Sequence, residues 1–251
     1  MHDHYHWRMG IPAGGFGWLV HRQWPAGVVE ERHGWLLRFA GGVTKRANSV
    51  LPCAEPDDIE QAIAAAERFY RERELPVVFS LDGGARPAGL DALLAARGYA
   101  EVDPTLIMTR PLDGTWAAPA HRVDLAERPS AGWLARWWAI DGRGGPDVPE
   151  AARRIVCGVP SAYASAGGDV PDAVGRVTVT DGWAGIYCMV VAPERRRAGL
   201  ARSVLAALLG AAVERGAHHA YLAVVAANAP ARALYSGIGF TVTDSYHYRV
   251  G

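Results

Sequence analysis

Hydrophobic residues recur at steps of three and four along residues 199–215, which is the spacing of one face of an amphipathic helix. The apolar positions of this face are Leu200, Val204, Leu205, Leu208, Leu209, Ala212 and Val213. Gly216 follows, where a left-handed residue commonly ends a helix. The runs "IYCMVV" before this segment and "AYLAVVA" after it indicate strands, and the second is apolar throughout, as in a central strand covered on both faces. The pattern predicts a strand–helix–strand unit.

The same order of elements occurs earlier in the chain. "ANSVLP" and "PVVFSL" predict strands on either side of a helix over residues 57–73. The two copies also end alike, because a constant shift aligns "ALLAARGYAEVDPTLIMT" with "ALYSGIGFTVTDSYHYRV". The aligned pairs are Leu93 with Leu234, Gly98 with Gly239, Tyr99 with Phe240 and Asp103 with Asp244. A duplicated fold follows from this repeat.

Proline, glycine and small residues interrupt the pattern at "PLDGTWAAP", residues 111–119. We therefore expect two units, residues 1–115 and residues 116–251. The fold class predicted for both is α/β, a mixed β-sheet flanked by helices, repeated in tandem.

Charge and composition narrow the classes of function. The 251 residues carry 26 basic and 26 acidic side chains, so the chain lacks the broad positive field of a protein that binds nucleic acid or anionic membranes. No apolar run approaches the about 20 residues of a membrane span, and "MHDHYHWRMG" lacks the features of a secretory signal. We expect a cytoplasmic protein without a nucleic-acid or membrane partner.

Metal and disulfide sites are not expected. The three cysteines, Cys53, Cys157 and Cys188, are too few and too scattered for a disulfide framework, and Cys188 lies in an apolar run typical of a core. His2, His4 and His6 alternate as metal ligands can, but a loose chain terminus explains them better.

Three adjacent arginines follow the strand that ends at Pro193, in "VAPERRRAGLA". The N–H groups at the start of the next helix have no partner within the helix, and the helix dipole adds positive potential there. Gly199 lets an anion approach the main chain closely, and Arg195, Arg196 and Arg197 add charge. The chain has neither a GxxxxGK loop nor a GxGxxG fingerprint, so the remaining candidate for this anion is the pyrophosphate of coenzyme A.

Two motifs in this region resemble those of a known family. "VxPxxRxxGxA" over residues 191–201, followed by "NxxAxxLYxxxGF" over residues 228–240, is similar to the two central motifs of the GNAT acyltransferase superfamily, in the family's order and spacing. The resemblance implies that acetyl-coenzyme A is the acetyl donor. It also implies a set of residues that bind the coenzyme: Met189, Val191 and Asn228 along the pantetheine arm, and Arg196, Arg197, Ala198, Gly199, Leu200, Ala201, Arg202 and Ser203 at the pyrophosphate. Asn228 is expected to act from the neighbouring strand.

The resemblance places Tyr235 beside the sulfur of the thioester. A phenol can donate a hydrogen bond or a proton to a leaving thiolate, whose conjugate acid has a pKa of about 8.5. The acceptor is expected to be a primary amine, and a lysine-like amine is neutral in only about one molecule in 2,500 at pH 7, so a base is needed. The strand "GIYCMVV" carries no carboxylate, which departs from many relatives. The base stays open among Asp141, Asp147, Glu150, Asp181 and His247.

The first unit looks like a degenerate copy that has lost the coenzyme site. Asp57, Asp58 and Glu60 lie in the first turn of its helix, where carboxylates satisfy the N–H groups and repel a pyrophosphate. Leu94 and Pro87 stand where the second unit has Tyr235 and Asn228. We expect this unit to pack against the catalytic one, with Trp35 either on the wall of the acceptor groove or in the core.

A cluster of tryptophans marks the segment in which the superfamily binds its acceptors, residues 132–150. Trp133, Trp137 and Trp138 face either the core or a hydrophobic acceptor, and the core is favoured. The function predicted is transfer of an acetyl group, by direct nucleophilic attack, to a primary amine of a small molecule. A protein acceptor is less favoured, and the enzyme is expected to be a monomer or homodimer. A noncatalytic sensor of acyl-coenzyme A is the alternative, and transfer from charged tRNA is more remote.

Overall fold

The computed structural model describes residues 14–113, 117–142 and 147–251. Within these ranges eleven strands form one sheet: β1 (Val28–Arg32), β2 (Trp35–Phe39), β3 (Val50–Leu51), β4 (Val78–Asp82), β5 (Ala100–Pro111), β6 (Asp124–Ala126), β7 (Ala162–Gly167), β8 (Pro171–Thr180), β9 (Trp183–Val191), β10 (His219–Val225) and β11 (Thr241–Val250). The α-helices are α1 (Gly15–Gln23), α2 (Ile59–Arg71), α3 (Leu90–Ala96), α4 (Ala131–Asp141), α5 (Glu150–Cys157), α6 (Leu200–Glu214) and α7 (Ala229–Ser236). Short 3-10 helices cover Lys45–Ala47 and Pro193–Arg195. The predicted mixed sheet flanked by helices is confirmed.

The last strand of each half, β5 in the first and β11 in the second, pairs with strands of the other half. The strand order is β1-β2-β3-β4-β11-β5-β10-β9-β8-β7-β6. The last strand of the chain, β11, therefore lies between β4 and β5, and β5 lies between β11 and β10. Each half completes the sheet of the other, so the two halves share one continuous sheet.

The repeat seen in the sequence corresponds to repeated structure. α3 and α7 are each followed by a glycine in the left-handed conformation, Gly98 with φ 85° and Gly239 with φ 89°. Tyr99 and Phe240 come next, and both are buried. Each segment then enters one of the exchanged strands. The two halves thus turn from helix to strand in the same way, because glycine adopts a positive φ without the steric cost of a Cβ atom.

The two faces of the sheet carry different cores. Tyr187 and Tyr221 point to one face, where α1, α4 and α5 pack. Their neighbours Ile186 and Leu222 point to the other face, against α6 and α7. This alternation is the ordinary period of two along a strand. In the first half the second face is covered by α2 and α3. The described helices include none that is both long and apolar enough to cross a bilayer.

Helix α1 lies near the start of the described chain and packs on both halves, against β8 in the second and β4 in the first. Gln23 is fully buried; its Nε2 donates to the carbonyl of Trp183 at 3.0 Å, and its Oε1 accepts from Tyr221 Oη at 2.8 Å. Gly185 makes this approach possible, because a Cβ atom there would lie 2.0 Å from Gln23 Oε1. The hydroxyls of Tyr187 and Tyr221 also hydrogen-bond to each other. This network joins the start of the chain to the centre of the sheet.

The tryptophans belong to the core. Trp133, Trp137 and Trp138 lie on α4 and are all buried in the core, which confirms the favoured interpretation. Trp35 has no exposed surface, and its Nε1 donates to the backbone carbonyls of Ala54 and Arg86. Trp35 therefore does not lie on the wall of an acceptor groove. Its ring packs in the core of the first half, and its N–H is hydrogen-bonded there.

Candidate active site

Strands β9 and β10 separate at their carboxyl ends. They pair in parallel over four residues, from Trp183 with His219 to Ile186 with Leu222. Beyond Ile186, the register of β9 against β8 shifts near Cys188, which has a positive φ of 55°. A bulge of this kind bends a strand and increases its twist. The two central strands therefore diverge and leave an opening in the sheet.

The diverging edge of β9 offers backbone hydrogen-bonding groups. The N–H of Ala192 donates to the carbonyl of Asp172 on β8 at 2.8 Å. Backbone groups alternate sides along a strand, so those of Met189 and Val191 face away from β8, toward the opening. Arg196 Nε lies 3.5 Å from the carbonyl oxygen of Val191, on the same side. An extended ligand can pair with this edge as an added strand would.

The opening leads to a cradle of backbone N–H groups at the start of α6. Arg197 and Gly199 both have positive φ, 66° and 81°. Among the described residues, the N–H groups of residues 197–202 find no acceptor, and the first N–H used is that of Ser203, which donates to the carbonyl of Gly199 at 3.1 Å. Unpaired N–H groups and the positive end of the helix dipole together form an anion-binding site.

Basic side chains surround this cradle. Arg195 is neutralised, because its Nε pairs with Asp172 at 3.0 Å. Arg196, Arg197 and Arg202 form no ion pair within the part of the chain that the structure describes. Three guanidinium groups therefore remain to bind an anion at the helix start.

His121 holds the cradle in place, and the sequence alone did not indicate it. Its backbone N–H donates to Ser203 Oγ at 3.1 Å, and its Nε2 lies 2.6 Å from the carbonyl oxygen of Ala198. Since a carbonyl only accepts, Nε2 carries the proton in this arrangement. The contact joins residues far apart in sequence and follows no motif, so only the folded chain reveals it.

The separated strands and the cradle form one groove of about 820 Å³. Its lining brings together most of the residues predicted from the sequence: Met189, Val191, Arg196, Arg197, Gly199, Leu200, Ala201, Arg202, Asn228 and Tyr235. Ala198 and Ser203 are not among the residues that line the groove, and the Ala198 carbonyl and the Ser203 hydroxyl contact His121. Their part in binding the coenzyme stays a prediction.

Asn228 lies beyond the strand on which it was expected. β10 ends at Val225, and Asn228 is the N-cap of α7, where its Oδ1 accepts from the N–H of Ala231 at 3.2 Å. Within the described residues its amide nitrogen makes no hydrogen bond. Asn228 therefore starts the helix that carries Tyr235 and still has a donor to offer in the groove.

Tyr235 lies in the groove with a largely buried ring. It is 8 % exposed, and its ring makes an edge contact with Phe240 at 6.1 Å between centroids. Burial, and secondly the negative charge of Asp141, raise the pKa of Tyr235 to about 12. The phenol is therefore a protonated hydrogen-bond donor throughout the physiological range.

Asp141 is the candidate base that the fold brings to this groove. It ends α4 on the opposite face of the sheet from Tyr235, yet both line the groove, because β9 and β10 separate between them. Asp141 Oδ2 accepts from Trp137 Nε1 at 3.1 Å. The other candidates lie elsewhere: Asp147 is exposed off the groove, Glu150 pairs with Arg154, Asp181 with Arg22 and His247 with Asp91.

The corresponding helix start in the first half is blocked, as its sequence predicts. Asp58 is the N-cap of α2, and its carboxylate accepts from the N–H groups of Glu60 at 2.9 Å and Gln61 at 3.1 Å. These hydrogen bonds, that of Gln61 first, lower the pKa of Asp58. Leu94, the counterpart of Tyr235, is fully buried in the core.

Residues 20–249 match the family described as "Probable histone acetyltransferase Rv0428c C-terminal". The chain belongs to this family, within the GNAT N-acetyltransferase superfamily. This acetyltransferase is 32 % identical over 243 residues to an uncharacterized N-acetyltransferase, YobR, of Bacillus subtilis (strain 168), covering 92 % of this chain and 96 % of that protein.

Solved structures agree with the fold. A GCN5-related N-acetyltransferase from Kribbella flavida superposes with a TM-score of 0.71 at 18 % identity and covers 96 % of both chains. A tandem GNAT protein from the clavulanic acid biosynthesis pathway superposes with a TM-score of 0.61 at 16 % identity, over 94 % of this chain and 86 % of its own. The acetyltransferase thus has a tandem GNAT fold.

His2, His4 and His6, which alternate near the start of the sequence, lie outside the described residues.

Proposed function

We propose that the enzyme transfers an acetyl group from acetyl-coenzyme A to a primary amine of a small molecule. The observation that carries this proposal is the single groove that joins the N–H cradle of α6, the open edge of β9 and the Tyr235 hydroxyl. Its parts suit the donor in order: an anion site for the pyrophosphate, a strand edge for the amide-containing pantetheine arm, and a phenol at the thioester.

The residues divide this work between binding and chemistry. The N–H groups of Gly199 and Ala201 hold the pyrophosphate, with Arg196, Arg197 and Arg202 neutralising its charge. The backbones of Met189 and Val191 and the Asn228 amide orient the arm, which places the thioester next to Tyr235. Bound acetyl-coenzyme A supplies the activated acetyl group.

Asp141 is the base in this proposal. Its carboxylate attracts the ammonium form of the acceptor and accepts one proton from it, which frees the nitrogen lone pair that attacks the thioester carbonyl. The second proton that the nitrogen loses as the amide forms passes to solvent. A C–N bond forms, the C–S bond breaks, and the Tyr235 hydroxyl donates a hydrogen bond to the thiolate released. The carboxylate missing from β9 is thus replaced by one from α4, which reaches the same groove through the separated strands.

A thiol-release assay with acetyl-coenzyme A and a panel of amines tests the base. Asp141→Asn keeps an oxygen that accepts from Trp137, so the fold is preserved while the base is lost. We expect kcat/KM at pH 7 to fall by about 10²- to 10⁴-fold, and the defect to shrink toward pH 9 as more of the acceptor is neutral. Asp147→Asn is the matched control, because Asp147 is exposed and off the groove.

Equal activity of the Asp141 and Asp147 variants would remove Asp141 from this role. Binding of coenzyme A without turnover over the whole panel would instead favour the sensor as the function. The two outcomes are distinct, because the first concerns the base and the second the reaction itself.

Attack by the acceptor is direct in this proposal, without an acetylated cysteine. Cys188 is buried, and burial raises the pKa of its thiol. The thiol therefore stays protonated, and a protonated thiol is a poor nucleophile. Cys188→Ala should keep most of the activity. An acetyl group found on Cys188 by mass spectrometry would contradict direct attack.

We also propose that residues 1–115 are the degenerate unit and residues 116–251 the catalytic one, acting as a monomer or homodimer without a nucleic-acid or membrane partner. The blocked start of α2 and the open start of α6 support this division. Titration with coenzyme A should therefore give one binding site per chain.

A further inference from the structure

A small cavity lies under α1, where the two halves meet. It shares no lining residue with the groove of the active site. Its polar lining comes from both halves: Arg38 on β2, Arg46 on the 3-10 helix, Ser80 and Asp82 on β4, and Tyr246 and Tyr248 on β11. Phe16, Gly17 and Val20 of α1 and Ile107 of β5 close it. The free space of about 20 Å³ suits one small group.

Arg38 places a buried positive charge in this cavity. It is 2 % exposed, its Nε donates to the Ser49 carbonyl at 3.0 Å, and its Nη2 donates to the Ser49 hydroxyl at 2.7 Å. Both acceptors are neutral. Burial lowers the pKa of Arg38, because the charged form loses solvation in the core. A buried cation without a counter-charge costs several kcal/mol.

Arg46 adds a second cation, with a donor left unused. Its Nε is buried and makes no hydrogen bond within the described chain. Its guanidinium carbon lies 5.3 Å from the ring centroid of Trp24 and 5.8 Å from that of Tyr187. Burial lowers the pKa of Arg46, but the neighbouring tyrosines, Tyr246 foremost, raise it by more. Aromatic rings and phenols surround this charge.

The one carboxylate on the cavity wall is already in use. Asp82 Oδ2 accepts from the N–H of Gly17 at 3.0 Å, and Oδ1 accepts from the N–H of Gly84 at 2.9 Å. It forms no ion pair with Arg38 or Arg46 among the described residues. Two guanidinium groups against one carboxylate leave a net charge of about one positive unit on the cavity wall. A small anion with a single negative charge would balance it.

We propose that this cavity binds a small monovalent anion, either a halide or the carboxylate group of a small molecule, with the Nε–H of Arg46 as a donor. Binding there would couple the two halves, because the ligand touches α1, β2, β4 and β11 together. The proposal does not rest on acetyl transfer, so its test is independent of turnover.

Crystals grown in bromide test the proposal directly. If the site prefers a halide, we expect an anomalous peak from bromide in the cavity beside Arg46 Nε. If it prefers a carboxylate group, formate should bind there in crystals soaked in formate without halide. A cavity that holds neither bromide nor formate would overturn the proposal, and this experiment needs no variant.

Thermal unfolding at constant ionic strength provides the second test. Bromide or formate, whichever binds, should raise Tm relative to the larger anion gluconate. Arg46→Met should abolish this rise. The matched control is Arg73→Met, since Arg73 also stacks on an aromatic ring, Phe69, but pairs with Glu30. A rise that persists in the Arg46 variant, or disappears in both variants, would contradict a site at Arg46.

Discussion

Replacing Tyr235 by phenylalanine removes one hydroxyl from the groove and leaves the ring contact with Phe240 in place. With its pKa raised to about 12, the phenol is a weak acid. Full proton transfer from it to a thiolate, whose conjugate acid has a pKa of about 8.5, is uphill by about 5 kcal/mol. Tyr235 should therefore stabilise the thiolate by a hydrogen bond rather than by giving up its proton.

The size of the effect follows from this role. A hydrogen bond to a charged group contributes about 1.5–3 kcal/mol, so Tyr235→Phe should lower kcat about 10- to 150-fold. The bond strengthens only as the thiolate forms, so KM for acetyl-coenzyme A should stay within about twofold.

Thiol-release kinetics from pH 6 to pH 10 measure this prediction. Tyr163→Phe is a control, because Tyr163 is a buried tyrosine whose hydroxyl donates to the carbonyl of Val156, away from the groove. That variant should lose stability and keep kcat. Two results would contradict a hydrogen-bonding role for the Tyr235 hydroxyl. One is a kcat of the Tyr235 variant within twofold of the parent value. The other is a kcat that falls near pH 10 in the parent but not in the variant.

Three further predictions concern the cradle, its blocked counterpart and α1. His121→Ala should weaken coenzyme A binding about fivefold by calorimetry, since one hydrogen bond that holds the loop is lost; unchanged affinity would contradict this role. Asp58→Ala should lower Tm slightly and leave KM for acetyl-coenzyme A unchanged, because the cap stabilises only α2. Burial, followed by the charges of Arg38 and Arg22, lowers the pKa of His21 to about 4. As the pH falls, the imidazole is protonated in the unfolded chain before it is protonated in the folded one, so the free energy of unfolding should fall between about pH 6.5 and 4. Discounted for partial exposure, this loss is about 1–2 kcal/mol in urea titrations, and His21→Leu should abolish it.

Local features were predictable because they depend on neighbours in sequence. The apolar period along α6, the left-handed Gly216 after it and the carboxylate cap of α2 all follow from backbone geometry within a few residues. For the same reason the sequence indicated which helix start is open to an anion. It also indicated the repeat, since Gly98 and Gly239 are required by the same turn.

Contacts between distant segments were decided only by the tertiary structure. The exchange of β5 and β11, the contact of His121 with Ala198 and the position of Asp141 beside Tyr235 each join residues far apart in the chain. Five residues were equal candidates for the base until the separation of β9 and β10 brought one of them into the groove. Sequence periodicity determines which face of an element is apolar, whereas the packing of the whole chain determines what that face meets.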